Sequence, residues 1–278
     1  NGAKQSIANV MMSMLDPGDE VIVLSPYWVS YADVIKVAEG TPVYVQGDIE
    51  NNFKASAAQI EAAITDKTKM MIYSSPCNPS GELFTKEEMD AIVEVVERYP
   101  NLYVVSDEIY EHINYTNDKV SIGAYPSVAN RVITVNGVAK AFAMTGWRVG
   151  WLIGPESVAK GVGKLVGHMT TNVSNVSQRA ALAAITGPMD SVYAMREAFD
   201  RRRVKMHSML NAIPGVVCPD PEGAFYAYPK MTGLLGRDLG GSTATTTLEL
   251  ADVILEKAEV AFVPGEAFGT PGYARFSF

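Results

Sequence analysis

Short apolar runs alternate with stretches of helical periodicity along this chain, the pattern of a sheet that carries helices on its faces. The runs at 21–24, 41–45, 70–74, 102–106, 132–135 and 149–153 read as strands, and several are apolar throughout, as in strands buried on both faces of a mostly parallel sheet. The clearest helix starts at Thr85, where Thr85 and Glu88 form a capping box ahead of Met89, Ile92, Val93 and Val96, and it stops at Pro100. One helical stretch is expected over 158–186 and another over 190–210. The second carries Arg201, Arg202, Arg203 and Lys205, which read as a solvated face balanced by Glu197 and Asp200 rather than as an anion site. The segment 232–247, rich in Gly and Thr, reads as a loop, followed by a helix over 248–257 and an extended run at 260–263. Composition shifts near Pro188, which sets the expected division into a large domain over 1–187 and a smaller one over 188–278. The fold class expected is α/β, three αβα layers around a mostly parallel sheet, with part of a smaller α/β C-terminal domain.

Composition narrows the partners. The 278 residues are 47% hydrophobic and 19% charged, enough to bury a large core, and the apolar runs fall short of the roughly 20 residues needed to span a bilayer. A net charge of −8 argues against a phosphate-backbone binder, so neither nucleic acid nor membrane is an expected partner. Cys77 and Cys218, without a CxxC, supply neither a disulfide framework nor a Cys-based zinc site, and they fit a reducing cytoplasm. The chain opens on Asn1 without a basic-plus-apolar leader and closes on a strand-like run at 274–278, so it reads as a piece with residues missing at both ends. The sequons at Asn114, Asn172 and Asn175 then read as chance matches. His112, His168 and His207 lack metal-ligand spacing, Cys77 has no histidine motif beside it, and Gly161-Val162-Gly163-Lys164 follows no strand. Metal binding, cysteine catalysis and a phosphate loop are therefore not expected.

The polar punctuation is placed unevenly. Three expected strands run into Ser75-Pro76-Cys77-Asn78-Pro79-Ser80-Gly81, into Asp107, and into Asn136-Gly137-Val138-Ala139-Lys140. In open α/β sheets ligands bind outside the C-terminal ends of the strands, so Asn78, Asp107, Tyr110 and Lys140 are candidates to converge on one ligand. A lysine buried near other positive groups loses its proton readily and attacks carbonyls, and an ionised aspartate holds a heterocyclic nitrogen protonated. Pyridoxal phosphate requires both of these groups. Gly2 and Ala3 precede the apolar-periodic stretch Ile7, Val10, Met11, Met14 and Leu15, which places backbone N–H groups at a helix N-terminus, and Arg148 offers a planar fork to a phosphate or carboxylate.

These motifs, with Ser25-Pro26-Tyr27-Trp28-Val29-Ser30-Tyr31, Ser106-Asp107-Glu108-Ile109-Tyr110-Glu111-His112, the run from Asn136 to Arg148, Gly223-Ala224-Phe225-Tyr226 and Val263-Pro264-Gly265, occur in an order that resembles the fold-type I pyridoxal-phosphate-dependent aminotransferases. The resemblance covers essentially the whole chain and is strongest to the prokaryotic-type aspartate aminotransferase subgroup, which includes enzymes active on prephenate. It implies that Lys140 forms the internal aldimine and shuttles the proton between Cα and C4′, with Asp107 partnering the pyridine nitrogen. Tyr110 and Asn78 match donors to the ring oxygen, and Trp28 matches the aromatic stacked on the ring. Gly2, Ala3, Lys4 and Arg148 match phosphate-side positions. Arg275 matches the clamp on the substrate α-carboxylate, while Lys4 is also associated with the distal carboxylate of a dicarboxylic substrate. Lys140, Asp107 and Tyr110 are thus the expected catalytic residues, and Trp28, Asn78, Arg275 and Lys4 the expected substrate contacts.

Departures from the family pattern are Gly137 and Ala139, where many relatives carry serine hydroxyls, and the lack of the family's N-terminal arm and C-terminal helix. The implied activity is ping-pong transamination of L-aspartate and 2-oxoglutarate in a homodimer. The alternatives are the same chemistry on aromatic substrates or prephenate, and a non-catalytic cofactor-binding domain of a regulator.

Overall fold

The computed structural model describes residues 1–116 and 118–278. Gly2, at a φ of 88° that suits glycine, turns the chain into α1 (Ala3–Met14). Then follow β1 (Glu20–Ser25), α2 (Ser30–Val37), β2 (Thr41–Gln46), α3 (Ala57–Ala62), β3 (Thr68–Ser74), α4 (Lys86–Arg98), β4 (Tyr103–Asp107), β5 (Val132–Gly137) and β6 (Gly150–Ile153). The sheet order is β2-β1-β3-β4-β5-β6, with β6 antiparallel to β5 and the other neighbours parallel.

Strand alternation sorts the core into two layers. Ile22, Leu24, Met71, Tyr73 and Val104 pack with Ile60 of α3 and with Met89, Ile92, Val93 and Val96 of α4. Val21, Val23, Met70, Ile72, Val105, Ile133 and Val135 face α1 and α2, and Val158 and Val162 of α5 (Glu156–Met169) close that side. The result is the expected αβα sandwich. Thr85 and Glu88 form the expected capping box at the start of α4. β2 is an edge strand and half exposed, unlike the interior strands.

The single helix expected over 158–186 is two, α5 and α6 (Asn175–Thr186). The chain breaks at Thr170 and Thr171: the N–H groups of both donate to the Val166 carbonyl, and Thr171 takes a φ of 56°, which ends the helical ladder. α7 (Asp190–Asn211) carries the basic cluster, where Arg203 pairs with Asp200, as expected, and with Asp220 of a following loop instead of Glu197.

β7 (Tyr226–Ala227), α8 (Thr247–Ala258), β8 (Val263–Pro264) and β9 (Ala274–Ser277) complete the chain, with a three-stranded sheet in the order β7-β9-β8. Its own core contains Leu210, Val216, Met231, Leu250 and Ala274. The extended run expected at 260–263 enters a strand only at its last residue, and the 232–247 segment contains a short 3₁₀ turn (Thr232–Leu234) and an isolated bridge between Asp238 and Thr243. Among the described residues no helix is long and apolar enough to cross a membrane.

Candidate active site

Register brings the site together. Ser74 pairs with Asp107 and Asp107 with Val135, so β3, β4 and β5 end level and their following loops share one rim. A cavity of about 370 Å³ opens there, within the range of small-molecule sites. Ala3, Lys4, Trp28, Asn78, Asp107, Tyr110, Lys140, Arg148 and Arg275 all line it, and Gly2 stands immediately behind Arg148. Every candidate residue read from the sequence is thus in or against one cavity.

On the cavity floor, Asp107 is buried: Oδ2 accepts from the Tyr31 hydroxyl at 2.7 Å and Oδ1 from the Ile109 N–H at 3.3 Å. Burial pushes its carboxyl up to about 6, against the opposing pull of those two donors and of Lys140. A cation placed against it would favour the charged form. Lys140 is half-buried, with Nζ 5.6 Å from the Tyr110 ring centroid and 5.4 Å from that of Phe225. Burial, then the charges of Arg275 and Arg148, lower its basicity, while Asp107 acts in the opposite direction. An amine so placed is available as a nucleophile.

One end of the cavity has the groups that an anion would need. Ala3 and Lys4 bring the start of α1, a terminus that favours anions, into the lining, and Arg148 lies beside it, donating from Nη1 to the Thr145 carbonyl at 3.0 Å and from Nη2 to the Asn1 carbonyl at 3.3 Å. A Cβ on Gly2 would lie 2.7 Å from Arg148 Nη2, so a side chain at position 2 would push the guanidinium from its place beside the helix terminus. Ala139 supplies no hydroxyl here, which leaves Thr145 as the hydroxyl-bearing residue on this side of the lining.

The opposite end is built from the second sheet. Arg275 of β9 donates from Nη1 to Asn78 Oδ1 at 2.8 Å, while its Nε is buried without a partner among the described residues. A buried guanidinium nitrogen with no acceptor is a site for a carboxylate. Lys4 Nζ lies 4.8 Å from the Trp28 ring centroid at the cavity wall.

Sequence reasoning gave no role to Tyr31, Ser74 or Tyr226, which also line the cavity. Tyr31 follows Trp28 by one helical turn and meets it edge-on at 5.5 Å, a spacing that the sequence does contain. Tyr226 ends the Gly223-Ala224-Phe225-Tyr226 motif, but only the fold shows its hydroxyl 2.8 Å from that of Tyr110.

The lining brings Arg148, the buried carboxyl of Asp107, the Lys140 amine and the Arg275 guanidinium to one cavity, a set of groups that fits a phosphorylated, cationic heterocycle. The fold is that of the fold-type I transferases. The family model for aminotransferase class I and II matches residues 1–278. Over 280 aligned positions the chain is 51% identical to an aspartate aminotransferase of Streptomyces avermitilis, covering all of this chain and 68% of that protein. It is 43% identical to an aspartate/prephenate aminotransferase of Cereibacter sphaeroides, covering all of this chain and 70% of that one. The crystal structure of an aspartate aminotransferase from Rhizobium meliloti superposes with a TM-score of 0.96 at 41% identity, over all of this chain and 70% of that structure. The chain belongs to the class I and II aminotransferases, a family of pyridoxal-phosphate-dependent transaminases.

Proposed function

We propose that this chain is an aspartate transaminase that holds pyridoxal phosphate in the cavity and works by ping-pong transfer between L-aspartate and 2-oxoglutarate. The observation that carries the substrate reading is that Arg275, whose Nε is buried without a partner among the described residues, lines the same cavity as Lys140 and Lys4. Arg275 clamps the α-carboxylate through a planar fork, and Lys4 receives the distal carboxylate of a dicarboxylic substrate.

The remaining residues divide the work on the cofactor. The α1 terminus and Arg148 bind the phosphate, Trp28 covers the ring, and Asp107, held by Tyr31, keeps the ring nitrogen protonated. Tyr110 and the Asn78 amide donate to the ring oxygen; because Asn78 Oδ1 is occupied by Arg275, its Nδ2 is the atom left for this. Lys140 would anchor the cofactor covalently, and its amine would hold and move the proton at the substrate Cα. When bound, the cofactor supplies an electron sink for the charge developing at that carbon.

A second reading, prephenate as an additional amino acceptor, draws on the Cereibacter sphaeroides relative and uses the same two cationic groups. The division at 187/188, a cytoplasmic location and a homodimer complete the proposal. The exposed Val176, Leu182, Ile185 and Tyr193 on α6 and α7 support self-association, which light scattering tests directly.

The experiment is the visible spectrum of the cofactor-loaded protein, recorded before and after L-aspartate and again after 2-oxoglutarate. Loss of the cofactor band with aspartate and its return with the keto acid is the expected result. A band unmoved by aspartate but discharged by an aromatic amino acid would replace the substrate assignment.

A further inference from the structure

Tyr226 lines the cavity and has no task in that scheme. Tyr226 is 5% exposed, its hydroxyl lies 2.8 Å from that of Tyr110, and the Arg275 guanidinium sits over its ring at 4.5 Å. The strand register explains the placement. Tyr226 pairs with Ser277, and Arg275 precedes Ser277 by one full strand period, so Tyr226 and Arg275 are diagonal neighbours on one face of the small sheet. The approach to β7 is pinned to the loop bearing Asn78, since the Gly81 carbonyl accepts from the N–H groups of both Glu222 and Gly223. A single side chain therefore touches both the arginine and the tyrosine.

We propose that Tyr226 is a positioning residue that couples the carboxylate clamp to the ring-oxygen donor: its hydroxyl donates to Tyr110 Oη, which directs the Tyr110 proton into the cavity. This inference rests on the cofactor reading above. Only one proton fits in the gap between the two hydroxyls, so one phenol donates and the other is free to donate elsewhere. Burial pushes both phenols above their ordinary value, and both stay neutral. Arg275 makes each phenol more acidic, but Tyr110 also feels the opposing charge of Asp107, which leaves Tyr226 the better donor of the pair. The Lys140 amine faces the Tyr110 ring and not the Tyr226 ring, so the charged groups around the pair are Arg275, Asp107 and Lys140. A hydroxyl that accepts one hydrogen bond donates the next more strongly. A carboxylate arriving on Arg275 offsets the guanidinium charge, weakens Tyr226 as a donor, and so weakens Tyr110 as a donor to the ring oxygen. Occupancy of the clamp is then felt at the cofactor, and by linkage the reverse holds.

The test is a spectroscopic pH titration of the cofactor-loaded protein as wild type, Tyr226→Phe, Tyr110→Phe and the double variant. Phenylalanine keeps the ring beneath Arg275 and removes only the hydroxyl. Weaker donation stabilises the ring-oxygen anion less, so Tyr226→Phe raises the absorbance midpoint by about half a pH unit, roughly three-fold in the proton equilibrium, and Tyr110→Phe raises it further. In the Tyr110→Phe background the second substitution adds nothing, because the partner through which it acts is gone. A Tyr226→Phe midpoint equal to wild type, or a shift that is the same in both backgrounds, overturns the inference while the proposed function stands. A wild-type chain that takes up no cofactor overturns the proposed function and this inference together.

Discussion

Asp107 and Lys140 illustrate how much a single position depends on its surroundings. The same burial that pushes the Asp107 carboxyl up to about 6 lowers the basicity of Lys140, so both groups are prepared for proton and carbonyl chemistry. Lys140→Ala removes both the anchor and the base and is expected to lower kcat/KM for transamination by at least about 10³-fold in a coupled assay. Lys4 is exposed, so its hold on a distal carboxylate is screened. Lys4→Ala should lower the preference for aspartate over an apolar amino acid, measured as the ratio of kcat/KM values, by about 5- to 10-fold. An unchanged ratio would remove Lys4 from the substrate assignment. Asp107 and Lys140 were legible in the sequence because polar groups placed directly after apolar strands stand out, whereas Lys4 was reached only through the family resemblance. Tyr31 and Tyr226 were not, because an aromatic near a strand reads as core until the register shows where its hydroxyl ends.

At the level of elements, α4 shows what local sequence specifies well. Thr85 Oγ accepts from the Glu88 N–H at 3.2 Å, and Glu88 Oε2 accepts from the Thr85 N–H at 2.8 Å and from the buried Lys54 at 2.7 Å. Thr85→Ala is expected to cost about 1 kcal/mol in chemical denaturation, the usual loss for a helix cap. Glu88→Ala should cost roughly 2 kcal/mol, since it also strands the Lys54 ammonium. The boundary between α5 and α6 was not legible. Apolar positions continue on both sides of it, and the break depends on backbone hydrogen bonds at Thr170 and Thr171 and on one left-handed residue. The open β2 edge was equally hidden, because neighbours in the sheet are set by crossover topology that a run of apolar residues does not encode.

The whole molecule is two sheets joined at a seam. Loop 78–84 of the first meets loop 221–224 before the second, with Glu222 accepting from the Leu83 N–H at 3.1 Å. Beside this seam Glu82 is buried, one carboxyl oxygen has no partner, and burial pushes its carboxyl up from 4.5 to about 8. Cys77 and Lys54 pull it back down, and Glu222 adds to the rise. A carboxyl raised on folding adds no penalty while both states hold the proton, and it progressively destabilises the native state as pH climbs from about 4.5 to about 8. Glu82→Gln should therefore flatten the fall in Tm across that window and leave the protein more stable than wild type above it. Identical Tm profiles for the two proteins would place the proton on another group.

The bond between Asn78 and Arg275 crosses that seam, so the pocket has two halves with different foundations. On the proposed function, the residues for the phosphate, the ring nitrogen and the covalent anchor stand on the large sheet, together with Lys4, while Arg275 and Tyr226 stand on the small one. Changes that tilt the small sheet would alter which acids are accepted while leaving Arg148, Asp107 and Lys140 in place. Substrate range could drift in this scaffold without the catalytic apparatus having to be rebuilt.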